Sequence, residues 1–280
     1  MKKHTTLLAL LLALLLALTG CGGSNAEDAG SADGSADASA VSSADPGPET
    51  ADASISSQPV EEEPALTAAD VYAMDAGAVL TAEQLDEVDT SELFFYEEIS
   101  DQVFARMEGV SFGSDCTTAR EDLRYVRVLH TGFDGETHIG ELVVNQAIAE
   151  DIVEIFQSLY EASYPIEKML LIDEYGGDDE LSMEDNNTSC FNFRAVSGTD
   201  HLSQHAYGLA IDVNPLYNPY ITSSGYEPYN AGDYIDRTLD FDYKIDESDL
   251  CYQLFTQHGF TWGGSWSSVK DYQHFQRAAE

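Results

Sequence analysis

Apolar residues are spread very unevenly along the 280-residue chain. Leu7 to Leu18 is an unbroken run of Leu and Ala. From Gly22 to Ala65 there is no period at all, only Ala, Ser, Asp, Gly, Glu and Pro with scattered exceptions. Such a stretch offers no face to bury. Pattern returns at Leu66. Leu66–Val71 and Leu80–Leu85 each read as a helical start, with Thr67 and Thr81 as caps and an acidic residue in the first turn. Ile99, Val103, Phe104 and Met107 recur at helical spacing and predict an amphipathic helix over Glu97–Met107. Leu123–Thr131 alternates as a strand does, Phe133-Asp134-Gly135 supplies a turn, and Ile139–Val144 predicts a second strand. Asn145 then caps a helix over Gln146–Tyr160, whose Ile148, Ile152, Ile155, Phe156 and Tyr160 share one face and which Pro165 terminates. Met169–Ile172 reads as a buried strand. No repeat is present, and helices mix with short strands without a βαβ rhythm, which predicts an α+β fold.

These shifts divide the chain into residues 1–21, a tether over 22–65, a helical lead-in over 66–95 and one folded domain over 96–280. Lys2 and Lys3 precede the first apolar run, whose twelve residues suit the core of a secretory signal. A bilayer span needs roughly 20. The closing Leu18-Thr19-Gly20-Cys21 resembles the bacterial lipobox, which implies lipidation of Cys21 and a protein anchored to the outer side of the cell membrane by lipid alone. The segment 22–65 holds ten acidic residues, no aromatic residue and no Lys or Arg. It predicts a self-repelling coil with an r.m.s. span of roughly 35–40 Å.

Charge narrows the function further. Asp and Glu number 51 against 12 Lys and Arg, a formal net charge of −39. That excess repels phosphate backbones and excludes nucleic-acid binding.

The candidate chemistry lies after residue 186. Ser203-Gln204-His205-Ala206-Tyr207-Gly208-Leu209-Ala210-Ile211-Asp212 has the form S-x-H-x-x-G-x-A-x-D. For His205 and Asp212 to share one metal their Cα atoms must lie within roughly 10 Å. Seven extended residues would separate them by about 23 Å. The chain must fold back, and Gly208 permits the tight reversal. Ala210–Val213 then reads as a core strand with one inward carboxylate, costly unless paired or metal-bound. Further on, Asp271-Tyr272-Gln273-His274-Phe275 offers His274 as a third ligand and Asp271 as a carboxylate beside it. Three protein ligands with an open position suit catalytic zinc.

The stretches Asn186–Ser189, Phe191–Arg194, SQHAYGLAIDVNPLYNPY and FTWGGSW…DYQHF together resemble the VanY-type D-alanyl-D-alanine carboxypeptidases, from about Ile99 to Phe275. The resemblance implies a single-domain zinc peptidase of bacterial cell walls, with a Hedgehog/DD-peptidase-like small antiparallel sheet flanked by helices; a monomer is expected, though the sequence does not reveal the oligomeric state. It implies one Zn2+ on His205, Asp212 and His274, Asp271 as general base, Arg194 polarising the scissile carbonyl, and Ser203 contacting substrate or supporting the ligands. Gln276 departs from the family pattern, where many members carry Glu, and is expected to alter hydrogen bonding around the site while leaving metal binding intact. The implied substrates are peptidoglycan stem peptides cut at the terminal D-Ala–D-Ala bond. An internal L-Ala–D-Glu bond or a free dipeptide suits the same mechanism, and a lipoprotein that only binds wall peptides is the alternative of another class.

The remaining candidates have plainer readings. A salt bridge to a local carboxylate competes for Arg194. His201 falls outside the ligand set, His258 sits in a helix-end pattern, and Trp262 and Trp266 suit core or rim. Cys116, Cys190 and Cys251 allow three disulfide pairings, among which the sequence does not choose.

Overall fold

The computed structural model describes residues 66–197 and 199–278. The expectations for 1–65, lipidated Cys21 included, lie outside the described residues.

Thr67 and Thr81 open the short helices α1 (Ala68–Tyr72) and α2 (Ala82–Leu85), each through a capping box in which Asp70 or Gln84 returns the bond. Between them β1 (Val79–Leu80) joins an antiparallel sheet in the order β1-β4-β3-β2, completed by β2 (Phe95–Glu98), β3 (Leu123–Thr131) and β4 (Thr137–Asn145). Val71, Leu80, Leu93 and Phe94 are buried in the same cluster as Val126, Ile139 and Ile152. The lead-in therefore packs into the main core. α3 (Asp101–Met107) follows β2, and α4 (Ala149–Glu161) lies on β3 with Ile152, Ile155, Phe156 and Leu159 inward.

The second half is built from shorter pieces: α5 (Asp179–Glu184), β5 (Ala210–Asp212), β6 (Tyr220–Ile221), β7 (Tyr226–Glu227), α6 (Leu250–Gln257), β8 (Thr261–Trp262), β9 (Lys270–Asp271) and β10 (His274–Gln276). They form two further antiparallel sheets, ordered β5-β10-β8 and β7-β6-β9. The α+β expectation holds, but among the described residues three sheets stand where one small sheet was expected. Aromatic rings tie the halves together. Phe156 meets Phe255 edge-on at 6.2 Å, and Phe255 stacks on Phe275 at 4.4 Å. Each such ring, fully buried, contributes about 1.5–3 kcal/mol, and this column backs the strand that carries His274.

Three local expectations are corrected. The helix over Glu97–Met107 begins only at Asp101, because Phe95–Glu98 pair with β3 and the Ser100 hydroxyl accepts from Val103 N. The helix over Gln146–Tyr160 begins at Ala149, because Asn145 is the last residue of β4 and its side chain accepts from Ala147 N in an intervening turn. Met169, Leu171 and Ile172 are buried, but the segment forms no strand. Glu141 N donates to Met169 O and Leu170 N to the Asn187 side chain, so its partners are mixed and no ladder forms. The three cysteines are free, so the structure forms none of the possible disulfides.

Candidate metal centre

Strand register brings the distant motifs together. β10 pairs antiparallel with β5, and His274 stands directly opposite Asp212. Residues opposite one another point to the same face with Cβ atoms about 5 Å apart. The neighbouring pair, Phe275 and Ile211, therefore points the other way, into the core, where both are fully buried. One alternation anchors the strands and presents the polar pair.

His205 arrives from a 3₁₀ turn over Gln204–Tyr207. Ser203 caps that turn, its Oγ accepting from His205 N at 3.2 Å. Gly208 closes it at φ +67°, and a Cβ there would sit 2.7 Å from Asn145 N. Only glycine combines that backbone angle with that approach. The reversal predicted between His205 and Asp212 is thus present.

The ligand atoms of His205, Asp212 and His274 all lie within 4.8 Å of one another. His205 Nε2 is 3.1 Å from Asp212 Oδ2, and His274 Nδ1 is 2.9 Å from Asp212 Oδ1. The two ring nitrogens face each other at 3.2 Å. Their outer nitrogens are engaged: His205 Nδ1 donates to Cys190 O at 2.6 Å, and His274 Nε2 donates to Gln276 Oε1 at 3.0 Å. An imidazole that donates outward presents a lone pair inward. Two imidazole lone pairs and a carboxylate therefore converge on one point, which requires positive charge. Burial alone pushes the Asp212 carboxyl up, but the flanking His205 and His274 hold it well below the usual carboxylate range. Burial pushes His274 down, yet its hydrogen bond to Asp212 and that carboxylate's charge lift it to about 9. The donor set of two imidazoles and a carboxylate fits a divalent cation.

Asp271 lies in β9, held opposite Tyr220 of β6. Its Oδ1 is enclosed and has no hydrogen-bond partner. Burial pushes its carboxyl up to about 7; His274 pulls it down and the Asp212 charge pushes it further up. Gly263 sets its position, since a Cβ there would meet Asp271 O at 2.5 Å and Asp271 Cβ at 2.8 Å. The sequence reading missed this glycine; its signal is the pair Gly263-Gly264 just after β8. Arg194 lines the same cleft, of about 600 Å³, as His205, Asp212, Asp271, His274 and Ser203. Its Nε pairs with Asp179, which also accepts from Asn192 Nδ2 at 2.9 Å. Arg194 thus makes the salt bridge considered for it and stands in the cleft as well. Trp266 lines the cleft too, its ring 5.3 Å from that of His274, while Trp262 is buried and donates to Tyr272 O.

His201 stays apart, its side chain 87% exposed. His258 caps α6 and bonds Asp151. Asp151, Glu154 and His258 form a second group of potential ligands, but Arg277 pairs with Asp151 at 2.7 Å. A fixed positive charge there opposes a cation.

Residues 197–277 match the family model described as D-alanyl-D-alanine carboxypeptidase. The match supports the VanY-type zinc peptidase family read from the motifs. It contains Ser203, His205, Asp212, Asp271 and His274 and leaves Arg194 outside. It is also shorter than the resemblance read from Ile99 onward. Comparison with curated proteins and with solved structures gave no match. The chain thus pairs a peptidase-family segment with a candidate His/Asp metal-binding group.

Proposed function

We propose that this protein is a zinc-dependent D,D-carboxypeptidase that removes the terminal D-alanine from peptidoglycan stem peptides. The observation that carries the reading is the pairing, in one cleft, of the convergent His205–Asp212–His274 group with the carboxylate of Asp271, whose Oδ1 is enclosed and unpartnered. A structural ion site needs its ligands only; a free carboxylate beside them is what a hydrolase needs.

His205, Asp212 and His274 would hold the ion, three ligands being the number in catalytic zinc sites. Zinc, when bound, supplies Lewis acidity and brings water ionisation close to neutral pH. Asp271 is the base: its carboxyl sits near the working pH, where a group accepts and returns a proton with comparable ease. It takes a proton from the attacking water and delivers it to the amine nitrogen as the C–N bond breaks. Arg194, steadied by Asp179, presents its remaining guanidinium N–H groups toward charge that develops on the carbonyl oxygen. Ser203 positions His205 by capping its turn. The same reading takes the fold as Hedgehog/DD-peptidase-like and the working unit as a monomer. It places the domain on an acidic tether outside the membrane, anchored through Cys21.

The test is incubation of the full chain with a muropeptide ending in D-Ala–D-Ala, with and without chelator, followed by mass spectrometry. Release of free D-alanine that chelator blocks, and that His205→Ala abolishes together with bound metal, is expected. Cleavage within the stem would move the assignment to an endopeptidase. Absence of any cleavage by metal-loaded protein would overturn the hydrolase reading in favour of peptide binding alone.

A further inference from the structure

The main chain that carries Asp271 is anchored from two sides. Its strand β9 pairs with β6, where Asp271 stands opposite Tyr220. The next residue, Tyr272, donates its N–H to Pro219 O at 3.3 Å and accepts at its carbonyl from Trp262 Nε1 at 2.8 Å. β6 and β9 are only two residues long, so their pairing supplies few bonds of its own. Where the carboxylate stands therefore depends on what fixes residues 217–221 and Tyr272.

One side chain reaches both. Arg237 comes from residues 228–245, a stretch with a 3₁₀ turn over Ala231–Tyr234 and no strand or α-helix. Its Nη1 donates to Tyr217 O at 2.8 Å, and its Nη2 donates to Asn218 Oδ1 at 3.1 Å and Ile245 O at 2.8 Å. The guanidinium also lies over the Tyr272 ring, 4.3 Å from its centroid, with the Phe241 ring at 5.1 Å. Asn218, fully buried, extends the grip by accepting from Ile245 N at 2.8 Å and donating to Asn214 O and Tyr243 O. None of the acceptors of Arg237 is a carboxylate, in a chain with 51 Asp and Glu. Burial pushes its guanidinium down to about 10, so the placement is costly while the charge persists at neutral pH. A rigid fork of donors that also stacks on an aromatic face is peculiar to arginine. Arg237 does not line the cleft, so any effect on chemistry passes through other residues.

We infer that Arg237 is a positioning residue for Asp271: it clamps Tyr217, Asn218 and the Tyr272 ring, and so sets where that carboxylate stands in the cleft. The inference rests on the proposed hydrolase reading for the role of Asp271 as base, and on these contacts for the clamp. The test uses the full chain with Arg237→Met, which removes charge and fork, and Arg237→Lys, which keeps the charge without the planar fork. Amide hydrogen exchange read by mass spectrometry needs no substrate. Faster exchange in peptides covering 217–221 and 270–273, with β3 and β4 at wild-type protection, is expected in both variants and more strongly in Arg237→Met. Exchange raised equally throughout the chain, or unchanged in both variants, would overturn the clamp.

D-Alanine release from a D-Ala–D-Ala muropeptide then reads the carboxylate itself. In Arg237→Met kcat is expected to fall about 10²-fold, the effect of a displacement near 1 Å. Arg237→Lys should lose less, since its ammonium can still rest on the Tyr272 ring. KM and bound metal should stay at wild-type values, because neither the ligands nor the cleft lining is altered. An unchanged kcat in folded Arg237→Met would overturn the inference, as would a fall matched by loss of metal. If Arg237→Met does not fold, Arg237→Lys is judged on both readouts by the same criteria. A local exchange response in a protein whose wild type releases no D-alanine leaves the clamp standing and removes the hydrolase reading alone.

Discussion

Two buried polar clusters of this protein border cavities of nearly equal size yet are wired in opposite ways. The first lies between the lead-in and the large sheet, beside a cavity of about 580 Å³. There Glu141, 1% exposed, receives both Arg106 Nη atoms at 2.5 and 2.8 Å and the Tyr125 hydroxyl at 2.7 Å. Arg127 donates to that hydroxyl and to Met74 O, and Arg106 reaches Glu174 at 3.0 Å. Every charged side chain of this cluster has a hydrogen-bond partner. The second cluster borders the cleft of about 600 Å³ and leaves Asp271 Oδ1 and Gln273 Oε1 without partners. Cavity size does not separate them; compensation does. A closed network fixes the packing of its surroundings, whereas uncompensated groups in a cleft retain free energy for a ligand or a proton.

The sharpest way to break this contrast is Asp271→Asn. Turnover is expected to fall by about 10²–10⁴-fold while bound metal, read by elemental analysis, stays at wild-type level. Full activity would remove Asp271 from the base role. The same substitution has a signature in the metal-free protein. The folded carboxyl is raised to about 7 from 3.8, so the folded state keeps its proton after the unfolded state has lost one. This carboxyl therefore costs nothing below pH 3.8 and its full amount above about pH 7. Denaturant titrations in chelator should show Asp271→Asn gaining stability over the wild type across that window. A gain independent of pH would mean that the carboxyl is compensated after all.

Glu141→Ala is the counterpart in the closed network. Removing one partner of a buried ion cluster costs about 3–5 kcal/mol, measurable by denaturant unfolding, while metal content stays unchanged in protein that remains folded. A loss below about 0.5 kcal/mol, the range of an ordinary surface site, would dissolve the distinction between the clusters. Gly263→Ala probes geometry alone. The added methyl displaces Asp271, and a shift near 1 Å can lower turnover by about 10²-fold with metal retained. Gln276→Leu has the smallest expected effect. Loss of the acceptor on His274 Nε2 should weaken metal binding by about 10–100-fold in competition with a chromophoric chelator. Unchanged affinity would show that strand pairing alone orients the ring.

Much of the fold was legible where a signal is local. Thr67 and Thr81 cap their helices because hydroxyl and backbone lie within one turn. Leu123–Thr131 forms the strand read from its alternation, although both of its faces are buried along most of its length. Met169–Ile172 misled because an apolar run reports burial, and burial is compatible with irregular backbone once Asn187 and Glu141 supply the hydrogen bonds. The start of α4 was obscured because Asn145 suits a helix cap and a strand end alike. At the site, residue types and spacing pointed to His205, Asp212, His274 and Asp271. They could not reveal that the Cys190 carbonyl turns His205, that Asp179 holds Arg194, or that Gly263 makes room for Asp271.

By itself the sequence determined which chemical groups were on hand: two imidazoles and two carboxylates in motifs with a glycine where the chain must reverse. Helix caps, strand alternation and charge were equally its own, since each acts within a few residues. Tertiary structure alone decided that His274 lies opposite Asp212, 62 residues away. That register follows from burying Phe275 and Ile211 against Phe255, a long-range packing choice that no local preference encodes.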